Sequence, residues 1–183
     1  LNKTLMTAVT EGKIGNTTNN NNNTTNNINN NQFNLNFFLN DTCKDALNIT
    51  DFLDSIQLQL NDLEETGRLG HVNGISRIFV NALKDMDETQ RPIHCTDSKR
   101  ETLYIKDKGK ERLKSAIETV ADRNLDQIPQ WRDENPRCQI MDSKENAMLA
   151  EMTLNSIGPM DEEGEKDKEK IAKKIIKEVV IDK

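Results

Sequence analysis

Apolar and polar residues alternate over residues 33–39, and this pattern predicts a β-strand with one buried face. Phe33, Leu35, Phe37 and Leu39 occupy every second position, and two of the three residues between them are asparagine. Side chains on a strand point alternately to its two faces, so the four apolar residues share one of them. We expect the folded core to begin at this strand.

After the predicted strand, the spacing of the apolar residues changes to that of an amphipathic helix. Asn48 is placed as a helix N-cap, with Asp51 in the capping-box position three residues later. Apolar residues then recur every three or four positions, which places them on one stripe of a helix that ends near Gly67. The stripe consists of Ile49, Leu53, Ile56, Leu60 and Leu63.

Further amphipathic helices are predicted downstream. A second helix is expected to start at the Asn73-Gly74 turn, and the charged stretch 161–170 is expected to be a loop or a frayed turn. The apolar positions of the second helix are Ile75, Ile78, Phe79, Ala82, Leu83 and Met86, and those of the third are Leu113, Ala116, Ile117, Val120 and Ala121. The fourth helix has Ala147, Ala150, Leu154 and Ile157, and the C-terminal helix has Ile171, Ile175, Ile176, Val179 and Val180.

Residues 92–107 are predicted to form a β-hairpin. Ile93 and Cys95 share a face of its first strand, and Leu103 and Ile105 share a face of its second. A hairpin alone is marginally stable and needs a further strand or helix, for which strand 33–39 is the obvious partner. We therefore expect an α+β fold, with a small antiparallel sheet of strand 33–39 and hairpin 92–107 packed by three or more helices.

The chain divides into four segments by composition. Residues 1–12 are expected to be the end of a longer helix, cut by the start of the fragment. Eleven of the seventeen residues 16–32 are asparagine, so 13–32 is expected to be a disordered linker, about 23 Å long as a random coil. Residues 33–140 are assigned to the α+β domain, and 141–183 to a helical, charged C-terminal extension.

Composition narrows the classes of function. The net charge is −6 and the pI about 5.1, so the chain as a whole is not a strongly basic nucleic-acid binder. No segment approaches the roughly 18 consecutive apolar residues of a membrane span, and no secretory signal precedes the domain. Three widely spaced cysteines make a poor disulfide framework. We expect a reduced, intracellular protein that is not secreted and has no membrane partner.

The densest polar cluster lies between Arg91 and Tyr104. Its candidate catalytic residues are His94, Asp97 and Glu101, a possible base with two carboxylates. Strand alternation points His94 and Cys95 to opposite faces, which favours a buried structural thiol and a structural or surface histidine. The spacing of the cysteines and histidines matches no metal-site pattern, so we expect neither a metal nor a cofactor in this chain.

Local charge gives a second hypothesis for the same region. Residues 91–114 hold eight cations and four acids within an acidic chain. A surface that contacts the phosphates of DNA or RNA would have this composition, and so would an ordinary solvated hairpin. The candidate nucleic-acid contacts are Arg91, Lys99, Arg100, Lys106, Lys108 and Lys110. The C-terminal helix is expected either to pack on its own domain or to form a homo-oligomer as a coiled coil.

Two stretches resemble a family. FNLNFFLNDTCKDALNITDF at 33–52, after the asparagine tract, and RPIHCTDSKRETLYIKDK at 91–108 are similar to uncharacterised proteins of giant viruses, the nucleocytoplasmic large DNA viruses. The resemblance implies N-terminal Cys/His zinc fingers before the tract and a place in the host cytoplasm, viral factory or nucleus. The finger ligands are not in this chain, and Lys108-Gly109-Lys110 stands where the family often has a tryptophan.

These observations lead to three hypotheses of function. The first is a non-enzymatic interaction or oligomerisation domain of a nucleic-acid-associated, zinc-finger-type viral protein. The second is a nucleic-acid-processing or hydrolytic enzyme that uses the 91–104 cluster, which requires His94, Asp97 and Glu101 to converge in a pocket. The third is a component of the virion or of an assembly scaffold.

Overall fold

The structure, a computed structural model, describes residues 6–8, 33–106 and 113–181. The predicted linker 13–32 lies outside these residues. Within them, α-helices pack on a small antiparallel sheet, so the predicted α+β class is confirmed.

The predicted hairpin forms the centre of the sheet. Strand β2 (Ile93–Asp97) pairs with β3 (Thr102–Lys106), with His94 opposite Tyr104 and a bulge between Cys95 and Asp97. The carboxylate of Asp97 accepts the backbone N–H groups of Lys99 and Arg100 at 2.9 and 3.1 Å. This side-chain turn closes the hairpin, as aspartate commonly does.

The strand predicted at residues 33–39 is wrong. Residues 35–37 form a short helix, α1 (Leu35–Phe37), which continues as a π-helical turn, Phe38–Thr42. Asn34 caps this segment by accepting the N–H of Phe37 at 3.1 Å, and the Asn40 amide donates to the Asn36 carbonyl at 2.9 Å. The side chains of Asn34 and Asn40, which were expected on the polar face of a strand, instead bond the local backbone.

The third strand comes from a part of the chain where a helix was expected. Strand β1 (Met6–Ala8) pairs antiparallel with β3, so the strand order is β1-β3-β2. The prediction of a helical end at residues 1–12 is therefore wrong for 6–8, and its other residues lie outside those described. On the opposite edge, Cys95 donates to the Val179 carbonyl at 2.7 Å and accepts from Ile181 at 2.9 Å.

Seven longer helices complete the described fold. The helix predicted from Asn48 is two helices, because Gln59 opens a new one through a capping box with Asp62. The stretch 161–170, expected as a loop, belongs to the last helix. The bounds are α2 (Ile49–Ser55), α3 (Leu60–Leu69), α4 (His71–Lys84), α5 (Leu113–Leu125), α6 (Ile128–Glu134), α7 (Lys144–Ile157) and α8 (Asp161–Glu178), with 3-10 turns at Glu88–Gln90 and Pro136–Gln139.

Gly74 lies inside α4 and does not start it, contrary to the prediction. A Cβ on Gly74 would come within 2.6 Å of the Cα of Thr66 on α3. The glycine therefore allows the two helices to pack with their backbones close together.

Two apolar clusters share one packed unit. The larger lies between the sheet and helices α2, α4, α5 and α8, and the smaller contains Trp131, Leu63 and Met152. Between the helices, the buried Asn124 amide donates to the hydroxyls of Thr66 and Ser156 at 3.1 and 3.3 Å. Helix α8 contributes side chains to the larger cluster and α7 contributes Met152 to the smaller one. The described part of the predicted extension 141–183 is therefore packed into the same unit as residues 33–140.

The apolar side of α8 is occupied within the chain. Ile171, Ile175, Ile176 and Val179 are all buried in the larger cluster. Of the two alternatives for the C-terminal helix, packing on its own domain is confirmed. These four residues are therefore not available to pair with a second copy, whereas Val180 of the predicted stripe is exposed.

Candidate nucleic-acid interface

His94 lies beneath a covering segment. Residues 33–47, here called the strap, cross the outer face of the hairpin, and Phe38 meets the imidazole edge-on with ring centres 5.4 Å apart. Lys106 Nζ holds the strap by donating to the Lys44 carbonyl at 2.6 Å. At its end, Leu47 donates to the Gln90 carbonyl at 3.0 Å. The strap therefore buries the part of this face that carries His94, whereas Tyr104 and Lys106 on the same face stay partly exposed.

Burial makes His94 a neutral residue. It is 1% exposed, and its Nε2 has no hydrogen-bond partner among the described residues. Loss of hydration lowers the pKa of the imidazole to about 4; the Arg91 charge acts in the same direction, and a hydrogen bond to the Arg91 backbone opposes it. A histidine in this state is a core residue and does not resemble a solvent-accessible general base.

The other two catalytic candidates have partners of their own. The Asp97 carboxylate is engaged in the hairpin turn, and its Oδ2 lies 3.6 Å from Arg100 Nε. Glu101, with φ at 52°, lies 3.8 Å from the Nζ of Lys173 on α8. The structure thus places His94 beneath the strap, Asp97 in the turn and Glu101 towards α8, and it does not favour a shared catalytic site.

The six predicted nucleic-acid contacts separate into three groups. Lys99 and Arg100 are exposed at the hairpin tip, where the Arg100 side chain is 85% accessible. Arg91 and Lys106 are half-buried and donate to backbone carbonyls, Arg91 to that of Glu178 at 3.3 Å. Lys108 and Lys110 lie outside the described residues. Of the four that the structure describes, Lys99 and Arg100 are therefore the two whose side chains are exposed to solvent.

Sequence reasoning missed the cations that accompany them. On the outer side of α8, lysines recur at positions 166, 170, 173 and 177, opposite the buried isoleucines. Spacings of 4, 3 and 4 place them in one row along the helix. Those spacings were visible in the sequence, but the expectation of a loop at 161–170 hid them.

The contact between Glu101 and Lys173 joins the hairpin tip to this row. We define the basic surface by its five exposed cations, two on the tip and three in the last turns of α8. They are Lys99, Arg100, Lys173, Lys174 and Lys177.

Ion pairing distinguishes the two halves of the row. Lys166 and Lys170 lie near the carboxylates of Glu163 and Asp167, at 2.7–3.9 Å. Lys174 and Lys177 have no ion-pair partner within the described part of the chain. Lys173 and Arg100 also lie near carboxylates, at 3.8 Å from Glu101 and 3.6 Å from Asp97. The positive charge at the C-terminal end of α8 is therefore least compensated at Lys174 and Lys177.

The described residues hold no group of three or more His, Cys, Asp or Glu side chains that could bind a metal. All three cysteines are buried as free thiols, and burial raises the pKa of Cys43 to about 11. Among the helices that the structure describes, none is long and apolar enough to cross a membrane.

Comparisons with protein-family models, curated proteins and solved structures find no match to this chain. The interpretation of its function therefore depends on the geometry of the chain itself.

Proposed function

We propose that this chain is a non-enzymatic, nucleic-acid-associated domain that contacts the phosphate backbone through the basic surface. The observation that supports the proposal is the contact at 3.8 Å between Glu101 and Lys173. It brings the exposed cations of the hairpin tip next to those of α8, although about seventy residues separate them in the sequence.

The chemistry of the surface suits phosphate and not base recognition. Lysine and arginine side chains on an exposed ridge can neutralise phosphates and release their counterions. The surface has no aromatic residue on which an unpaired base could stack, since Tyr104 lies on β3 opposite His94. Binding should therefore depend strongly on salt and weakly on sequence.

The test measures binding of fluorescent duplex DNA and duplex RNA to the full chain by anisotropy. Neutralising three to five phosphates should weaken binding by about 40- to 500-fold between 50 and 200 mM salt. The charge reversal Lys173→Glu/Lys177→Glu should abolish it. Both positions are exposed, so circular dichroism should show an unchanged fold.

The matched control is Arg68→Glu/Arg132→Glu, which changes the net charge by the same amount at exposed positions on α3 and α6. It should retain most of the binding. No detectable binding at 50 mM salt, or equal losses in the two double variants, would contradict the proposal.

The biological setting is part of this proposal. The resemblance of 33–52 and 91–108 to giant-virus proteins supports a role beside zinc-finger modules, in the host cytoplasm, viral factory or nucleus. No specific observation favours the enzyme hypothesis or the scaffold hypothesis over phosphate binding.

A further inference from the structure

Helix α7 carries an apolar face that points away from its own domain. Met152 and Ser156 are buried on its inner side. On the outer side, Ala147, Ala150, Leu154 and Ile157 are all exposed, and Leu154 is 70% accessible. Their spacings of 3, 4 and 3 are those of one side of a packed helix pair. This is the arrangement expected when a second helix covers the first.

Exposed apolar residues also flank both ends of this helix. Ile140 and Met141 lie in the turn that leads into α7, and Met160 follows its end. Together with Leu154 and Ile157 they expose on the order of 600 Å² per chain, close to the roughly 800 Å² that each partner of a stable complex buries. An exposed apolar area of this size is at the upper end of what monomers show and commonly marks an interaction site.

The arrangement of large and small side chains is self-complementary. The centre of the face consists of two alanines, and the larger residues stand on both sides of them. Two such helices can cross closely at the alanines, because interaxial distance follows the size of the side chains in contact. If the copies run antiparallel, Ile157 of one faces the Ile140 end of the other.

The charged residues beside the apolar face favour the same antiparallel register. Lys144 and Glu151 are exposed on the same flank of the face, seven residues apart. When two antiparallel copies meet at Ala147 and Ala150, Lys144 of each copy comes within about two residues, roughly 3 Å along the helix axis, of the level of Glu151 of the other. A shift by one heptad towards the C-terminus would instead bring Glu151 of one copy beside Glu151 of the other, which is unfavourable because like charges repel. Packing and charge therefore agree on one arrangement.

We infer that α7 is a dimerisation helix, which pairs antiparallel with α7 of a second copy of this chain around Ala147 and Ala150. The dimer is symmetric, since the same patch serves both copies. Acidic residues around the face, including Glu151 and Asp142, oppose the alternative of an anionic membrane surface.

The test is sedimentation velocity of the full chain over a range of concentrations. We expect a monomer–dimer equilibrium with a dissociation constant on the order of 10 μM. Leu154→Glu/Ile157→Glu should raise that constant about 100-fold or more. Phe37→Glu, at an exposed apolar residue on the strap, is the matched control and should leave it unchanged.

A charge-swap cycle tests the partner and the register. Lys144→Glu and Glu151→Lys should each raise the dissociation constant about tenfold, because each places like charges opposite one another twice in the dimer. The double variant should restore it. A wild-type chain that is monomeric up to about 300 μM, or a double variant no better than the single ones, would overturn the inference.

Discussion

The buried imidazole of His94 predicts a stability that falls as the solution becomes mildly acidic. In the folded chain its pKa is about 4, whereas its ordinary value is 6.5. Between these values the unfolded chain binds a proton that the folded chain does not. Acid therefore favours the unfolded state, and the stabilisation is lost progressively as the pH falls from 6.5 to 4.

The size of the effect follows from the two pKa values. Protonation of the unfolded state alone lowers the free energy of unfolding by about 2 kcal/mol between pH 7.5 and 5. Carboxylates with ordinary pKa values near 4 remain ionised over most of this range. The window therefore separates the titration of the His94 imidazole from most of the titration of the carboxylates.

The assay is urea unfolding at pH 7.5 and pH 5. Trp131, the single tryptophan, is 1% exposed and reports the loss of the folded state by fluorescence. His94→Gln keeps a donor for the Arg91 backbone but removes the titration, so its stability should be nearly equal at both pH values.

Two results would refute the reasoning. A wild-type chain equally stable at both pH values would mean that the imidazole is hydrated or readily protonated in the folded state. A His94→Gln variant with the full wild-type difference would mean that other groups carry it.

Three further predictions concern packing. Gly74→Ala should lower stability by about 2 kcal/mol in urea unfolding, because its Cβ would meet the Thr66 backbone and the helix-propensity gain is smaller; wild-type stability would contradict the close helix contact. Lys106→Met should cost about 1–2 kcal/mol, because the Lys44 carbonyl loses its charged donor; an unchanged unfolding midpoint would contradict that role. Cys43 should resist thiol reagents at pH 8 until denaturant is added, whereas rapid modification of the folded chain would show that it is accessible.

The hairpin was predictable because its information is local. The alternating apolar residues of its two strands, and Asp97 in the turn between them, all lie within one short stretch of the sequence. The break between α2 and α3 was not predictable from spacing, since the residues between Ser55 and Leu60 span about one turn and leave the apolar period unbroken. The period alone cannot show that the chain leaves the helix and re-enters it.

The candidate site was only partly predictable, for a different reason. Charge counts identified Lys99 and Arg100 correctly as exposed cations. The same counts could not show that Arg91 and Lys106 are used to satisfy carbonyls, or that Lys173 lies beside the hairpin tip. Which positive charges remain available to a ligand depends on contacts between distant parts of the chain.

Pairing of β1 with β3 changes the meaning of the asparagine-rich tract. Ala8, before the tract, pairs with Tyr104, and the strap that begins after it covers the same hairpin. The tract therefore connects two elements that contact the same hairpin. Doubling the length of a flexible connection between two such fixed points costs only about 0.6 kcal/mol. Repeat expansions and contractions in the tract should therefore be thermodynamically almost silent, and its length is free to drift while the domain is preserved.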